Sequence, residues 1–380
     1  MSGKIMVIGL GELGFHILQI LARTPGVSEI VAADINERNG LLKTNNAIYT
    51  AAHLDLYPNI KFRRINLFDI EGTAEILKEE EPVIVCNATT LQSWWVFHLL
   101  PDEVFRRLNF EGGIGPQTPF HLTLTYKLMQ AIKKAGIDTH VVNCSYSDAV
   151  NAMLGKVGLA PTVGGGNFDL LIPGIKQFVS RELEVPMRSV TVFMIAHHGL
   201  LTSHMNAPFW LKILVYDKDV SSKFPPGKVR EVLRPFVQTL MGGGAQWVMP
   251  PNEDIAASFT KNILGIYFNT RELHHAPGPL GLPGGYPIRL SAKGVEVILP
   301  EELTLDEAIK VNEECSRYDG IERIKDDGTI VFTEKAVKTY REILGYECKE
   351  LKVSESEERA RELSKLFKKL AEKYGVKIPV

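Results

Sequence analysis

Hydrophobic positions over the first 150 residues fall into two alternating patterns. Short apolar runs at Lys4–Ile8, Glu29–Asp34, Ile60–Ile65, Val83–Asn87 and Thr139–Cys144 read as strands buried on both faces. Between them, apolar residues recur at three- and four-residue spacing over 12–23, 40–54, 71–80, 93–108 and 119–135. Leu122, Leu124, Leu128, Met129 and Ile132 make the clearest stripe. Strand and helix in strict alternation predict βαβ units, and five such strands predict a doubly wound parallel Rossmann sheet in an α/β fold.

From about residue 186 the pattern changes. Ser189–Ala196 and Leu211–Tyr216 are longer strand runs, and Tyr286–Leu299 and Ile321–Thr333 read as hairpins around Ala292-Lys293-Gly294 and Asp326-Asp327-Gly328. Helical periodicity over 227–240, 253–271, 304–316 and 334–344 is interleaved with them, which predicts an α+β domain with antiparallel strands. Gly242-Gly243-Gly244 reads as a turn before a strand at 245–249, and the Pro/Gly-rich run from Ala276 to Gly285 as a long loop, either a lid or a surface crossover. Ser354–Tyr374 carries one apolar stripe among Lys, Arg and Glu, a terminal helix that docks on the body or on a second copy. The expected organisation is a dinucleotide-binding domain over 1–160, a substrate domain over 161–350 and a terminal helix over 351–380.

Composition adds mainly exclusions. The chain has 380 residues, 45% of them hydrophobic, with 43 Lys and Arg against 45 Asp and Glu, so neither a disordered nor a fibrous chain is indicated. A formal charge of −2, with both signs interleaved, gives no electrostatic reason to expect nucleic acid or an anionic membrane, and leaves a small molecule as the expected partner. No apolar run reaches the ~18–20 residues of a membrane span, and the N-terminal run is too short for a signal sequence. Four scattered cysteines without a C-x-x-C pair suit a reducing cytoplasm.

The chemistry starts at Gly9-Leu10-Gly11-Glu12-Leu13-Gly14, directly after the first strand and opening the first helix. The first glycine permits the tight turn, the second admits a pyrophosphate, and the third lets helix and strand pack closely. Asp34 closes the next strand, where a carboxylate accepts from ribose hydroxyls and disfavours a 2′-phosphate, pointing to NAD. Arg38, four residues on, leaves NADP open. Asn87, Ala88 and Thr89 end the fourth strand at the carboxyl edge, where they either touch the dinucleotide or cap the next helix. Cys144 reads as a small core hydrophobe, and His274-His275 as a solvated helix end. No H-E-x-x-H occurs, and His197 and His198, as strand neighbours, point to opposite faces, so no metal is expected. Beside Gly199 at the end of an apolar strand, His198 suits proton transfer near neutrality.

A second cluster runs from Val141-Val142-Asn143-Cys144-Ser145-Tyr146-Ser147-Asp148 through Gly164-Gly165-Gly166-Asn167-Phe168-Asp169 to Ala196-His197-His198-Gly199. With the glycine fingerprint, this order resembles the lactate and malate dehydrogenase superfamily. The resemblance implies that Asn143 contacts cofactor or substrate, that Asp169 orients an imidazole, and that His198 is the acid/base of alcohol/ketone interconversion. It also exposes a departure: the arginine that grips a substrate carboxylate three residues after the aspartate is here Ile172, followed by Pro173. Either Lys176, Arg271 or Arg289 replaces it, or the substrate is not a simple α-hydroxy acid. Gly9, Gly11, Gly14, Ala33-Asp34 and Pro82–Ala88 also look like saccharopine dehydrogenase-like reductases, which implies imine reduction on an amino acid and a keto acid as an alternative. A protein that senses NAD(H) without turning it over is a further one. Doubly wound dehydrogenases often pair, so a dimer is expected.

Overall fold

The computed structural model describes residues 3–242 and 252–378. Its first half contains β1 (Lys4–Ile8), α1 (Glu12–Ala22), β2 (Glu29–Asp34), α2 (Glu37–Ala52), β3 (Asn59–Arg64), α3 (Ile70–Glu80), β4 (Ile84–Asn87), α4 (Asp102–Arg106), α5 (Thr118–Ala135), β5 (His140–Asn143) and α6 (Ser147–Lys156). The second half continues with α7 (Ile172–Leu183), β6 (Val190–Ile195), α8 (Gly199–Thr202), β7 (Trp210–Val215), β8 (Lys218–Asp219), α9 (Pro226–Leu240), α10 (Glu253–Tyr267), β9 (Leu273–Pro277), β10 (Gly285–Ser291) and β11 (Gly294–Val297). It closes with α11 (Leu305–Ser316), β12 (Ile321–Ile324), β13 (Ile330–Phe332), α12 (Glu334–Leu344), β14 (Glu350–Leu351) and α13 (Ser356–Lys373).

β1 to β5 form one parallel sheet in the order β3-β2-β1-β4-β5, the doubly wound arrangement expected from the apolar runs. The strand order reverses between β1 and β4, where such sheets bind ligands at their carboxyl ends. Among the described residues, the later strands make three small antiparallel sheets, β6-β7-β8, β9-β10-β11 and β12-β13-β14.

Alternate residues of the parallel strands feed opposite faces. Met6, Ile8, Val31, Val85 and Val141 pack into a core with α3 and α5, which β12–β14, α12 and α13 complete. Ile5, Val7, Ile30, Ala32 and Ile84 pack on the other face with α1, α2 and α10 and with β9–β10. The terminal helix therefore docks on the body: Phe367 of α13 packs against Phe97 with ring centroids 4.4 Å apart and the rings tilted by 45°.

Several expectations are corrected. The stretch 93–108 is not one helix: Pro101 lacks an N–H to continue the ladder, and the segment divides into a 3₁₀ turn at Trp94–Leu99, α4, and a π turn at Arg107–Glu111. The helix expected over 253–271 stops at Tyr267. The Pro/Gly run is no free loop: Ala276 and Pro277 belong to β9, Gly285 opens β10, and Gly278 and Pro279 are buried, with Gly281 packed on Gly155 of α6. His274 and His275 lie on β9 rather than at a solvated helix end. Burial holds the His274 imidazole down at about 4, and pushes that of His275 well below its ordinary range. The strand expected over 245–249 lies outside the described residues. Among the described residues, no helix is long and apolar enough to cross a membrane.

Candidate active site

A cavity of about 540 Å³ opens at the carboxyl ends of the parallel strands, within the size range of small-molecule and cofactor sites. Gly9, Gly11, Glu12, Leu13, Asp34, Ala88 and Thr89 line one end of it; Cys144, Ser145, Tyr146, His121 and His198 line the other. The fold brings these together because β1, β2, β4 and β5 end side by side and β6 delivers His198 from the second half.

The glycine turn is built for an anion. Gly9 has φ +92°, and a Cβ there would meet the Ala88 carbonyl oxygen at 2.7 Å. A Cβ on Gly14 would sit 1.8 Å from the Gly9 carbonyl oxygen, so Gly14 lies behind the cavity wall and supports the turn. At Gly11, in contrast, nothing lies within 4 Å of where a Cβ would be, and this residue caps α1 without any side-chain hydrogen bond. The first-turn N–H groups and the dipole of α1 thus face open space suited to a pyrophosphate. Asp34 Oδ2 accepts from Leu10 N at 2.6 Å and Oδ1 from Asn36 N at 2.8 Å, which fixes the carboxylate on the cavity wall with lone pairs left for hydroxyl donors. These residues fit the adenosine and pyrophosphate portion of a dinucleotide.

Three expected contacts are placed elsewhere. Arg38 is exposed on the first turn of α2 and is not part of the wall; the cation at the turn is Lys43, whose Nζ donates to Leu10 O at 2.6 Å. Asn87 and Asn143 are fully buried behind the wall. Asn87 Nδ2 donates to Asn143 Oδ1 at 3.1 Å, Asn143 Nδ2 donates to Asn151 Oδ1 at 2.9 Å, and Thr89 Oγ1 donates to Asn87 Oδ1 at 2.7 Å. Their amides tie β4, β5 and α6 together, and Asn143 has no free face for a ligand. Cys144 is partly exposed on the wall, with its Sγ 3.6 Å from that of Cys86. Burial, and then Cys86, push its thiol well up, so it is no thiolate nucleophile.

His198 and Asp169 do not pair. Asp169 accepts from Lys261 Nζ at 2.6 Å and from the Ser258 hydroxyl, both on α10. The carboxylate on His198 is Asp319, in the short turn between α11 and β12, with His198 Nδ1 at 2.9 Å from Oδ2 and 3.1 Å from Oδ1. Asp319 is buried and also accepts from Tyr146 Oη at 2.9 Å and Thr202 Oγ1 at 2.5 Å. His197 Nδ1 approaches the same carboxylate at 3.4 Å. Both histidines reach it because β6 ends at Ile195 and the chain is already turning into α8, so the alternation of a strand no longer separates them.

Electrostatics follow from this geometry. Burial works against the His198 imidazolium, but the charge and hydrogen bond of Asp319 outweigh it and raise its pKa. Burial also opposes the Asp319 carboxylate, yet the two imidazoles outweigh it and hold Asp319 well below the usual carboxylate range. With Nδ1 committed to Asp319, Nε2 of His198 is the nitrogen left for proton exchange. The His198 backbone N donates to Asp148 Oδ1 at 2.9 Å, which fixes where the ring enters the cavity.

Tyr146 and His121 were not singled out from sequence. Tyr146 holds φ +44° and ψ +53°, a left-handed conformation uncommon for a bulky residue, and from there its hydroxyl reaches Asp319. His121, on α5, places Nδ1 3.0 Å from Ser145 Oγ, and burial lowers its pKa to about 4, so it stands as a neutral imidazole beside His198.

No protein-family model matches the chain. The malate dehydrogenase of Salinibacter ruber is 23% identical over 346 residues, covering 86% of this chain and 99% of that protein. Among solved structures, the malate dehydrogenase from Aeropyrum pernix superposes with a TM-score of 0.58 at 15% identity over 83% of this chain and 97% of that one. The fold is that of the lactate and malate dehydrogenases. The lactate dehydrogenase from Eimeria maxima, solved with NADH and oxamate, gives the same TM-score of 0.58 at 14% identity over 83% of this chain and 92% of that one. On this lactate/malate dehydrogenase fold, the aspartate that follows the glycine-rich turn, Asp169, faces α10, and the carboxylate serving His198 comes from Asp319.

Proposed function

We propose that this chain is an NAD-dependent dehydrogenase that interconverts a hydroxyl and a ketone on a small molecule, with His198 as general acid/base. One observation carries the reading: a buried Asp319–His198 pair opens into the same cavity as the glycine turn and Asp34. A protein that only binds dinucleotide has no need of a carboxylate-oriented imidazole there. The match to a malate dehydrogenase over nearly its whole length supports the same reaction class.

When bound, the nicotinamide supplies or accepts the hydride. The chain's own residues do the rest. Gly9, Gly11 and the first turn of α1 receive the pyrophosphate, and Asp34 accepts from ribose hydroxyls while disfavouring an added phosphate. Asp319 keeps the Nδ1 proton of His198 in place, so Nε2 gives a proton to a carbonyl oxygen in reduction and takes one from a hydroxyl in oxidation. Tyr146 and Thr202 hold Asp319 rather than the substrate. The reading includes a reducing, cytoplasmic setting, supported by four free thiols. It also includes paired copies, supported by Leu42 and Tyr49, which stand 69% and 64% exposed on α2.

Titration calorimetry with NADH and NADPH, followed by a hydride-transfer screen against ketones and hydroxy compounds, tests the proposal. Binding of NADH in preference to NADPH, with turnover of at least one ketone, is expected. Failure to bind either dinucleotide would overturn it.

A further inference from the structure

The charge on the cavity wall is one-sided. Its ionised side chains among the described residues, histidines aside, are Glu12 and Asp34, both at the glycine-turn end; no lysine or arginine lines it. The segment 243–251, Gly-Gly-Ala-Gln-Trp-Val-Met-Pro-Pro, contains no lysine or arginine either. The cations that sequence offered as carboxylate clamps are placed elsewhere. Lys176 lies among Lys261, Asp169 and His274 and is not part of the wall, and Arg271 and Arg289 are exposed beside β9 and on β10. Ile172 is buried at the start of α7.

Elsewhere the wall is largely aromatic and aliphatic, with Trp94, Trp95, Leu170, Leu201, Leu240 and Met241. Its remaining polar groups are uncharged. Gln117 donates its amide nitrogen to Asn109 Oδ1 at 3.2 Å and to the Tyr340 hydroxyl at 2.8 Å. Burial, and for His121 also the neighbouring His198, holds the imidazoles of His98 and His121 at about 4, so both are neutral near pH 7. His121 binds Ser145 and Thr90 through Nδ1, and Nε2 makes no hydrogen bond to a described residue. The one imidazole whose pKa is raised, His198, already faces the Asp319 carboxylate.

We infer that the substrate is an uncharged ketone or secondary alcohol with an apolar or aromatic body, held by the His121 imidazole rather than by a cationic clamp, and that α-keto and α-hydroxy acids are poor substrates. This rests on the dehydrogenase reading and narrows its substrate class. A carboxylate entering this wall would lose its water and meet only the His198 imidazole, whose charge Asp319 already balances, a cost sites use to reject a ligand by several orders of magnitude.

The test compares matched pairs that differ in charge. With NADH, kcat/KM for the methyl ester of phenylpyruvate is expected to exceed that for phenylpyruvate by about 100-fold or more. Independently of turnover, calorimetry on the protein loaded with NADH, whose nicotinamide is uncharged, is expected to show benzamide binding and benzoate not binding. A His121→Arg variant is expected to move the ester-to-acid ratio toward the acid by about tenfold or more. Phenylpyruvate reduced as well as or better than its ester, or benzoate bound as tightly as benzamide, overturns the substrate class while leaving the dehydrogenase reading intact. Benzamide bound selectively while neither ketone nor ester is reduced supports the neutral site and counts against the dehydrogenase reading.

Discussion

Replacing Asp319 by Asn changes one atom and removes one charge from the centre of the site. The side chain is buried and receives the imidazole of His198 at 2.9 Å, the Tyr146 hydroxyl at 2.9 Å and the Thr202 hydroxyl at 2.5 Å. Two consequences follow. An amide can donate as well as accept, so the Nδ1 tautomer of His198 is no longer enforced, and burial then acts on the imidazolium with only the charge of Asp148 against it. Loss of the orienting carboxylate in acid/base sites of this type costs roughly 10²–10⁴ in kcat, equivalent to about 3–5 kcal/mol of transition-state stabilisation. Each hydroxyl keeps an acceptor but a weaker one, so folding stability should fall by only about 1–3 kcal/mol. The assay is the pH profile of kcat/KM for ketone reduction. Reduction needs protonated His198, whose pKa Asp319 raises, so the wild-type rate should decline only as pH climbs above the ordinary histidine value. In the Asn variant, the decline should begin at lower pH. An unchanged rate and an unchanged profile would refute the pairing as the source of acid/base catalysis.

Asp34→Ala should weaken NADH binding and reduce the preference over NADPH, read by calorimetry with both dinucleotides; an unchanged preference would remove Asp34 from the ribose. Gly14→Ala, whose Cβ would sit 1.8 Å from the Gly9 carbonyl oxygen, should destabilise the fold by about 1–3 kcal/mol in denaturant titration and weaken NADH binding with it. Asp169→Asn should lower stability through loss of the Lys261 ion pair, yet leave the pH profile of turnover where it is. A shifted profile would return Asp169 to the acid/base machinery.

The parallel sheet was legible because strands buried on both faces leave continuous apolar runs, and β1 and β2 begin and end where those runs do. The glycine turn and Asp34 were legible because their chemistry is local, compressed into one strand, one turn and the end of the next strand. The carboxylate of the dyad was not. Asp319 stands 121 residues from His198, in a four-residue stretch, Arg317-Tyr318-Asp319-Gly320, that reads as an ordinary turn. Asp169 stood at the family's spacing, but Pro173 and the 3₁₀ turn at Asn167–Leu171 set its side chain toward α10. Asn143 was found as a polar residue at a strand end, but period-2 alternation does not tell a ligand contact from an internal amide network. His121 and Tyr146 carried no motif; only the positive φ of Tyr146, invisible in sequence, marks its role.

The central claim is that the glycine turn and the His198–Asp319 pair form one hydride-transfer site. The most direct measurement is NADH-dependent reduction of the best ketone of the panel by the wild-type protein and by His198→Ala, with the NADH dissociation constant taken for both. Turnover by the wild type, a fall of about 10²–10⁴ in kcat for the variant, and NADH affinity preserved within about twofold are expected. Equal turnover by the two proteins, or a wild type that does not bind NADH, would contradict it.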